Sequence, residues 1–186
     1  MVVSMPVEMT RPAAPFSYDD LETMPDDGYR REIIGGSLIV TPSPAGSHQR
    51  VTGKLYASAQ AAETPGTMAM VAPYDWKLPD GGSVQPDVMV IRREDFDPDG
   101  PLPSSAVPLV VAEVLSPSNA AQDRTLKRDL YERLGVPAYW IIDPSVPSLL
   151  ALRLVDGHYV IEDETTGTFR TGWPFPLEVD LVKLAP

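Results

Sequence analysis

Three ionisable residues stand where burial makes a charge costly. Asp87 follows Pro86 and precedes Val88, Val90 and Ile91. Glu113 sits inside the apolar run Leu109–Leu115, and Lys127 lies among Leu126, Leu130, Tyr131 and Leu134. An ionised carboxylate in a buried strand is rare unless it pairs with a cation or binds a metal. Read singly, each has a plain explanation. Glu113 fits an ion pair with Arg128 or Arg92 as well as it fits a metal ligand. Asp87 reads first as a Pro-Asp strand opening, and Lys127 as a lysine that lays its stem along an apolar helix border. Together they say more. Two carboxylates on neighbouring strands and a lysine are the parts of a metal-dependent phosphodiesterase. The carboxylates hold one or two magnesium ions, which acidify a bound water and neutralise the scissile phosphate. The lysine orients that water or helps to deprotonate it, and stabilises the pentavalent transition state.

Composition narrows the chemistry further. The 186 residues suit one domain. There is no cysteine, which removes disulfides, thiolate zinc sites, iron–sulfur clusters and a cysteine nucleophile. Two histidines, His48 and His158, do not make a histidine-rich site, so a metal must rest on carboxylates, which favour magnesium or manganese. No run is long and apolar enough to cross a bilayer, and the first residues do not read as a secretory signal, so no membrane partner and a cytoplasmic location are expected. The net charge of −11 argues against nucleic acid at first sight. Residues 30–133, however, hold 11 basic and 13 acidic side chains, and the excess charge sits at the two ends. A middle near neutrality turns favourable to phosphate once divalent ions bind.

The elements that must position these groups follow from periodicity. Residues 1–15 carry Pro6, Pro12 and Pro15 and read as a flexible lead-in to a single domain over 16–186. Ser17–Leu21 predicts a short capped helix. Tyr29–Ile34 and Ser37–Thr41 predict a hairpin turning at Gly35-Gly36. Val51, Leu55, Ala59 and Ala62 fall at helical spacing within a helix from Ser47 to about Glu63. Met68–Leu78 and Ser83–Ile91 predict a second hairpin about Pro79-Asp80-Gly81-Gly82. The run ending at Leu115 fits a strand buried on both faces. Ser116–Asn119 then predicts an N-cap, with Asn119 and Gln122 as a capping box, for a helix ending near Leu134 at Gly135. Ala138–Ile142 predicts another buried strand and the remainder a β meander. The order gives an α+β fold, a mixed sheet flanked by helices rather than a doubly wound parallel one.

At this point the residues resemble a known family. Pro86-Asp87 followed by Glu113-Val114-Leu115 looks like the PD-(D/E)XK nuclease motif. The string Ala112–Pro117, then Asp123, Lys127, Tyr131 and the block Gly135–Pro144, resembles the Uma-two family of bacterial restriction-endonuclease-like proteins. Glu32-Ile33-Ile34-Gly35-Gly36-Ser37-Leu38 and Pro42–His48 match as well. The resemblance implies a restriction-endonuclease-like core with added β-hairpins, Asp87 and Glu113 as ligands of magnesium or manganese, and DNA as the substrate. It also implies a homodimer, in keeping with the need to cut two strands. Leu115 departs from the motif, standing where the lysine of E-x-K belongs. In the family a lysine on the following helix is thought to take that role, and Lys127 is the matching residue.

Other positions carry two readings. Glu32, flanked by Arg30, Arg31 and Ile33, is a surface ion pair or, by the family match, a support to the metal site. His48 bonds a loop carbonyl at a helix start, or touches phosphate or water. Asp123, four residues before Lys127, forms a solvent ion pair or holds the lysine head toward the site. Tyr139-Trp140 packs in the core or at a dimer contact. Two alternatives to an endonuclease stay open. One is a non-catalytic binding or regulatory module on the same fold, motivated by Leu115 and the acidic balance. The other is a hydrolase of a smaller phosphodiester such as a nucleotide.

Overall fold

In the computed structural model, which describes residues 8–10, 15–117 and 120–184, Val110–Val114 (β8) is buried along its whole length. It occupies the middle of a six-stranded sheet, and its alternate side chains feed two separate cores. Val110, Ala112 and Val114 join one; Val111 and Leu115 join the other. The flanking strands are Val88–Arg92 (β7), antiparallel to β8, and Ala138–Asp143 (β9), parallel to it. Thr67–Val71 (β4) pairs with β7 at one edge. Ser148–Val155 (β10) and His158–Thr165 (β11) extend the other, giving the order β11-β10-β9-β8-β7-β4. One parallel pair among antiparallel ones makes the sheet mixed, and the class is α+β.

The first core lies under Gly46–Ala61 (α2), whose Val51, Leu55 and Ala59 face β4, β7 and β8. Thr168–Thr171 (β12) and Leu177–Asp180 (β13) close that side with Phe169, Leu177 and Val179. The second core lies under the helical segment after β8 and a five-stranded sheet. That smaller sheet contains Arg30–Ile34 (β2), Ser37–Thr41 (β3), Trp76–Lys77 (β5) and Ser83–Val84 (β6), in the order β1-β3-β2-β6-β5. Its β1, Glu8–Thr10, lies within the stretch expected to be a lead-in and pairs with β3, which offers it a free edge. The β2–β3 turn at Gly35-Gly36 has both residues at positive φ, as a two-residue hairpin turn requires.

Two expectations change. The second hairpin is divided between the sheets: β4 and β7 pair in the large one, β5 and β6 in the small one. Pro73 and Pro86 stand at the crossings, where a residue without an N–H ends the ladder and lets the chain leave. The helix after β8 is interrupted as well. It runs as Ala120–Gln122 (α3), a π-helical turn Asp123–Lys127, and Arg128–Arg133 (α4). Of the stretch Ser116–Asn119 expected to supply the cap, Ser118 and Asn119, the latter with the capping box, lie outside the described residues. The C-terminal end follows expectation: Gly135 has φ +78°, its N–H bonds the Glu132 carbonyl, and the Val136 N–H reaches back to Tyr131.

Within the smaller sheet, the β2–β3 hairpin joins the β5–β6 pair through one register pair between β2 and β6, Ile33 with Ser83. Gly82 precedes it, and a Cβ there would overlap the Ile33 carbonyl oxygen. Because the obstacle is backbone, it cannot swing away. Gly82→Ala is expected to destabilise by about 1–3 kcal/mol, the usual cost of overpacking, measured as a lower urea midpoint. An unchanged midpoint would mean that the β2–β6 seam of the smaller sheet is loose.

Candidate active site

The pairing of β7 with β8 places the two acids. Val88 pairs with Ala112 and Met89 with Val111, so the next position in the ladder sets Asp87 opposite Glu113. By alternation both side chains share the face of Met89 and Val111, toward the second core. Each is fully buried. The Asp87 N–H lies 3.4 Å from Glu113 Oε2, and Asp87 Oδ2 accepts the Val114 N–H at 2.9 Å.

Four further elements aim side chains at this pair. From β2, Arg30 and Glu32 point the same way, two residues apart on a strand. Arg30 Nη2 contacts Asp87 Oδ1 at 2.6 Å. Glu32 Oε1 accepts the Gln85 N–H at 2.9 Å and lies 3.0 Å from Lys127 Nζ. From the first turn of α2, His48 Nε2 meets Asp87 Oδ2 at 3.0 Å, with Thr52 Oγ1 3.4 Å behind its Nδ1. From the π turn, Lys127 Nζ donates to Glu113 Oε1 at 2.9 Å; from α4, the Tyr131 hydroxyl donates to the same oxygen at 2.9 Å.

The π turn brings Asp123, Lys127 and Tyr131 to one side. Such insertions in α-helices recur at functional sites. The Tyr139 hydroxyl secures it by donating to the Asp123 carbonyl at 2.9 Å. Asp123 itself is fully buried, with Oδ1 3.8 Å from Lys127 Nζ, and neither carboxylate oxygen accepts a hydrogen bond. The solvent ion pair expected at this spacing is therefore corrected: the i,i+4 pair faces inward. The expectation of Glu32 as a surface pair is corrected for the same reason, since its partner Lys127 is buried. The cation on Glu113 is Lys127, not Arg128 or Arg92, and His48 bonds a carboxylate, not a loop carbonyl. Tyr139 and Trp140 are core residues.

The site's electrostatics follow from these contacts. Burial pushes the Asp87 carboxyl up, but the His48 hydrogen bond and the Arg30 charge outweigh it and hold it well below the usual range. Burial raises the Glu113 carboxyl; Lys127 opposes this, while Asp87 and Glu32 add to it, and the result lies above the ordinary value. Asp123, with burial and the Glu113 charge against it, is pushed up to about 8. For Lys127 burial works against the charge, yet Glu113, Glu32 and Asp123 together hold its pKa above the ordinary one. Lys127 is thus a fixed cation.

All five residues singled out in the sequence, Asp87, Glu113, Lys127, Glu32 and His48, converge here. Arg30 was missed, although its place two residues before Glu32 on a predicted strand was a usable signal. Tyr131 entered only as a helix neighbour of Lys127 and as part of the family string. Among the described residues no three carboxylates or imidazoles converge on one point. An ion here would rest on Asp87 and Glu113, with water and substrate oxygens completing its shell. Magnesium is commonly held in that way.

Among the described residues no helix is long and apolar enough to cross a membrane. No curated protein matches the chain. A crystal structure of a putative nuclease belonging to DUF820 from Anabaena variabilis ATCC 29413 superposes with a TM-score of 0.71 at 19% identity, covering 91% of this chain and 97% of that one. The two share a fold. Residues 18–181 match the family Uma2, putative restriction endonuclease, and it is to this family that the chain belongs.

Proposed function

We propose that the chain is a cytoplasmic, magnesium- or manganese-dependent endonuclease that hydrolyses phosphodiester bonds of nucleic acid, DNA being the substrate and a homodimer the working form. The observation that carries this reading is the cross-strand pair Asp87 and Glu113 with Lys127 on Glu113. The donor set fits a divalent ion. Glu32, Asp87 and Glu113 gather three carboxyls around two obligate cations, Arg30 and Lys127, and a fourth, Asp123, is buried beside them without a hydrogen bond. A buried cluster short of positive charge is favourable ground for a cation. Asp87 and Glu113 would hold it, and when bound it acidifies water and neutralises phosphate charge.

The chain's own groups do the rest. His48 and Arg30 fix the Asp87 carboxylate from opposite oxygens and keep it ionised. Tyr131 and Lys127 fix Glu113. Lys127 has three N–H donors, of which Glu113 and Glu32 take two; the remaining one can meet a water or a phosphoryl oxygen. Because its pKa is raised, it acts by donating hydrogen bonds and positive charge rather than by accepting a proton. Burial of the cluster strengthens each of these contacts.

The test is calorimetry and cleavage on single substitutions. Asp87→Asn and Glu113→Gln are each expected to abolish manganese binding. Cleavage should fall by about 10²–10³-fold or more, the scale of losing one electrostatic contact to developing charge. Wild-type manganese affinity in both variants would refute the assignment. One observation favours a second reading. Asp87 and Glu113 already have the cations Arg30 and Lys127 on them and His48 in hydrogen-bond contact with Asp87, so the cluster can serve as an internal brace in a binding module. Nucleic-acid binding without metal, with no cleavage under magnesium or manganese, would select that reading.

A further inference from the structure

Beside the acidic cluster a cavity of about 380 Å³ opens. It lies where the parallel strands β8 and β9 both end: Leu115 and Ser116 follow the first, while Asp143 closes the second and Pro144 follows it. Crevices beyond the carboxyl ends of parallel neighbours are common ligand sites in open sheets. His48 lines this cavity and at the same time bonds Asp87, so whatever occupies it sits one imidazole away from the site.

The walls have a definite chemistry. Leu115, Pro117, Ala120 and Pro144 present apolar surface, enough to sandwich a flat ring. Arg124 and Asp143 stand at the rim with Nη2 and Oδ2 3.4 Å apart, donors beside an acceptor. The carboxylate is held ready, since Asp143 Oδ1 accepts both the Ser145 N–H at 3.0 Å and its hydroxyl at 2.6 Å. Paired donors and acceptors of this kind match the edge of a nucleobase. The first turn of α2 also faces the cavity. Its cap residue, Ala45, has no side chain to satisfy the leading amides, which leaves them for a phosphate.

Size and charge decide what fits. Pockets for small organic ligands span roughly 300–1,000 Å³, so this cavity admits one nucleotide and excludes a stacked base pair. The chain carries a net charge of −11, and Arg31, Arg93 and Arg170 are held by acidic neighbours. A single strand delivers an unpaired base to such a cavity without the cost of flipping one out of a helix.

We propose that this cavity seats one unpaired nucleotide next to the scissile phosphate, so that the substrate is single-stranded nucleic acid rather than intact duplex. The assignment of a phosphate to be cut rests on the endonuclease reading; the pocket's preference for an unpaired base does not. Binding is therefore measured in chelator, without cleavage, by anisotropy of a labelled 12-nucleotide single strand and of its duplex, as DNA and as RNA. The single strand is expected to bind at least tenfold more tightly than the duplex at equal salt. Two substitutions fill the cavity from different walls, Ala120→Trp and Ser145→Trp, the second on an exposed side chain. Both should weaken single-strand binding tenfold or more with an unchanged urea midpoint. Nucleoside 5′-monophosphates should compete, and inorganic phosphate at equal concentration should not.

Equal binding of strand and duplex, wild-type binding by the folded tryptophan variants, or equal competition by phosphate would each overturn the proposal. Cleavage with manganese is scored separately. Binding as expected without cleavage keeps the pocket and removes the endonuclease. Duplex cleavage untouched by the tryptophans keeps the endonuclease and removes the pocket.

Discussion

Lys127→Met is expected to cost the folded protein about 3–5 kcal/mol at neutral pH, the scale of stranding buried charge by removing one partner of an ion pair. The buried ammonium is 2.9 Å from Glu113, 3.0 Å from Glu32 and 3.8 Å from Asp123. Methionine fills most of the lysine stem's volume, so the loss is electrostatic rather than a cavity effect. The pH dependence separates the two. Lys127 has a raised folded pKa, so its stabilisation is fully present below its unfolded pKa of about 10.5 and is lost only as pH climbs through the folded value. Between pH 5 and 9 the lysine itself contributes a constant. The variant's deficit should instead shrink on acidification, as the stranded carboxyls take up protons. Urea unfolding in chelator at pH 5 and pH 8 measures it. A deficit independent of pH would show that the three carboxyls do not share this cation. Lys127→Arg should not restore activity, because a planar fork cannot reproduce the convergent contacts of one ammonium.

The convergence of the acids was legible because strand alternation is strict. Once Val88, Val90 and the run Val110–Val114 read as neighbouring buried strands, a carboxylate within each had to be paired or ligating. The helix border that carries Lys127, and the Gly135 stop, followed from 3.6-residue spacing and the positive φ that glycine permits. The family string supplied what spacing alone could not, namely that Lys127 rather than Leu115 faces the acids. Three features were hidden for physical reasons. The crossing of β5 and β6 into the smaller sheet depends on which edge is free, a tertiary fact that Pro73 and Pro86 permit but do not dictate. The π turn has no propensity of its own and exists because Asp123, Lys127 and Tyr139 bond where they do. Arg30 stood in the sequence only as a flank of Glu32, and it is the β2 pleat that assigns Arg31 to Asp27 and Arg30 to Asp87.

Asp123 offers the second large effect, of opposite sign. Its carboxyl is buried, accepts no hydrogen bond, and is pushed up to about 8 from a reference of 3.8. Between those two values the folded state keeps a proton that the unfolded state has released. Stability contributed by this group is therefore complete below about pH 4 and falls by about 1.4 kcal/mol per pH unit until the folded value is passed. Asp123→Asn removes that slope while keeping the shape of the side chain. In chelator the variant should match the wild type near pH 4 and exceed it by a few kcal/mol at pH 8, on the order set by that slope. Glu113, also raised, adds a slope of its own to both proteins, and because it sits by Asp123 the difference between them reports the pair. A buried group kept at such a cost to stability is more readily understood at a working site than in a passive core. Identical pH profiles for the two proteins would show that Asp123 is ionised in the fold and that Lys127, at 3.8 Å, suffices to hold it. In that case the cluster would carry one more negative charge at neutral pH, and the ground for a divalent ion at Asp87 and Glu113 would be stronger.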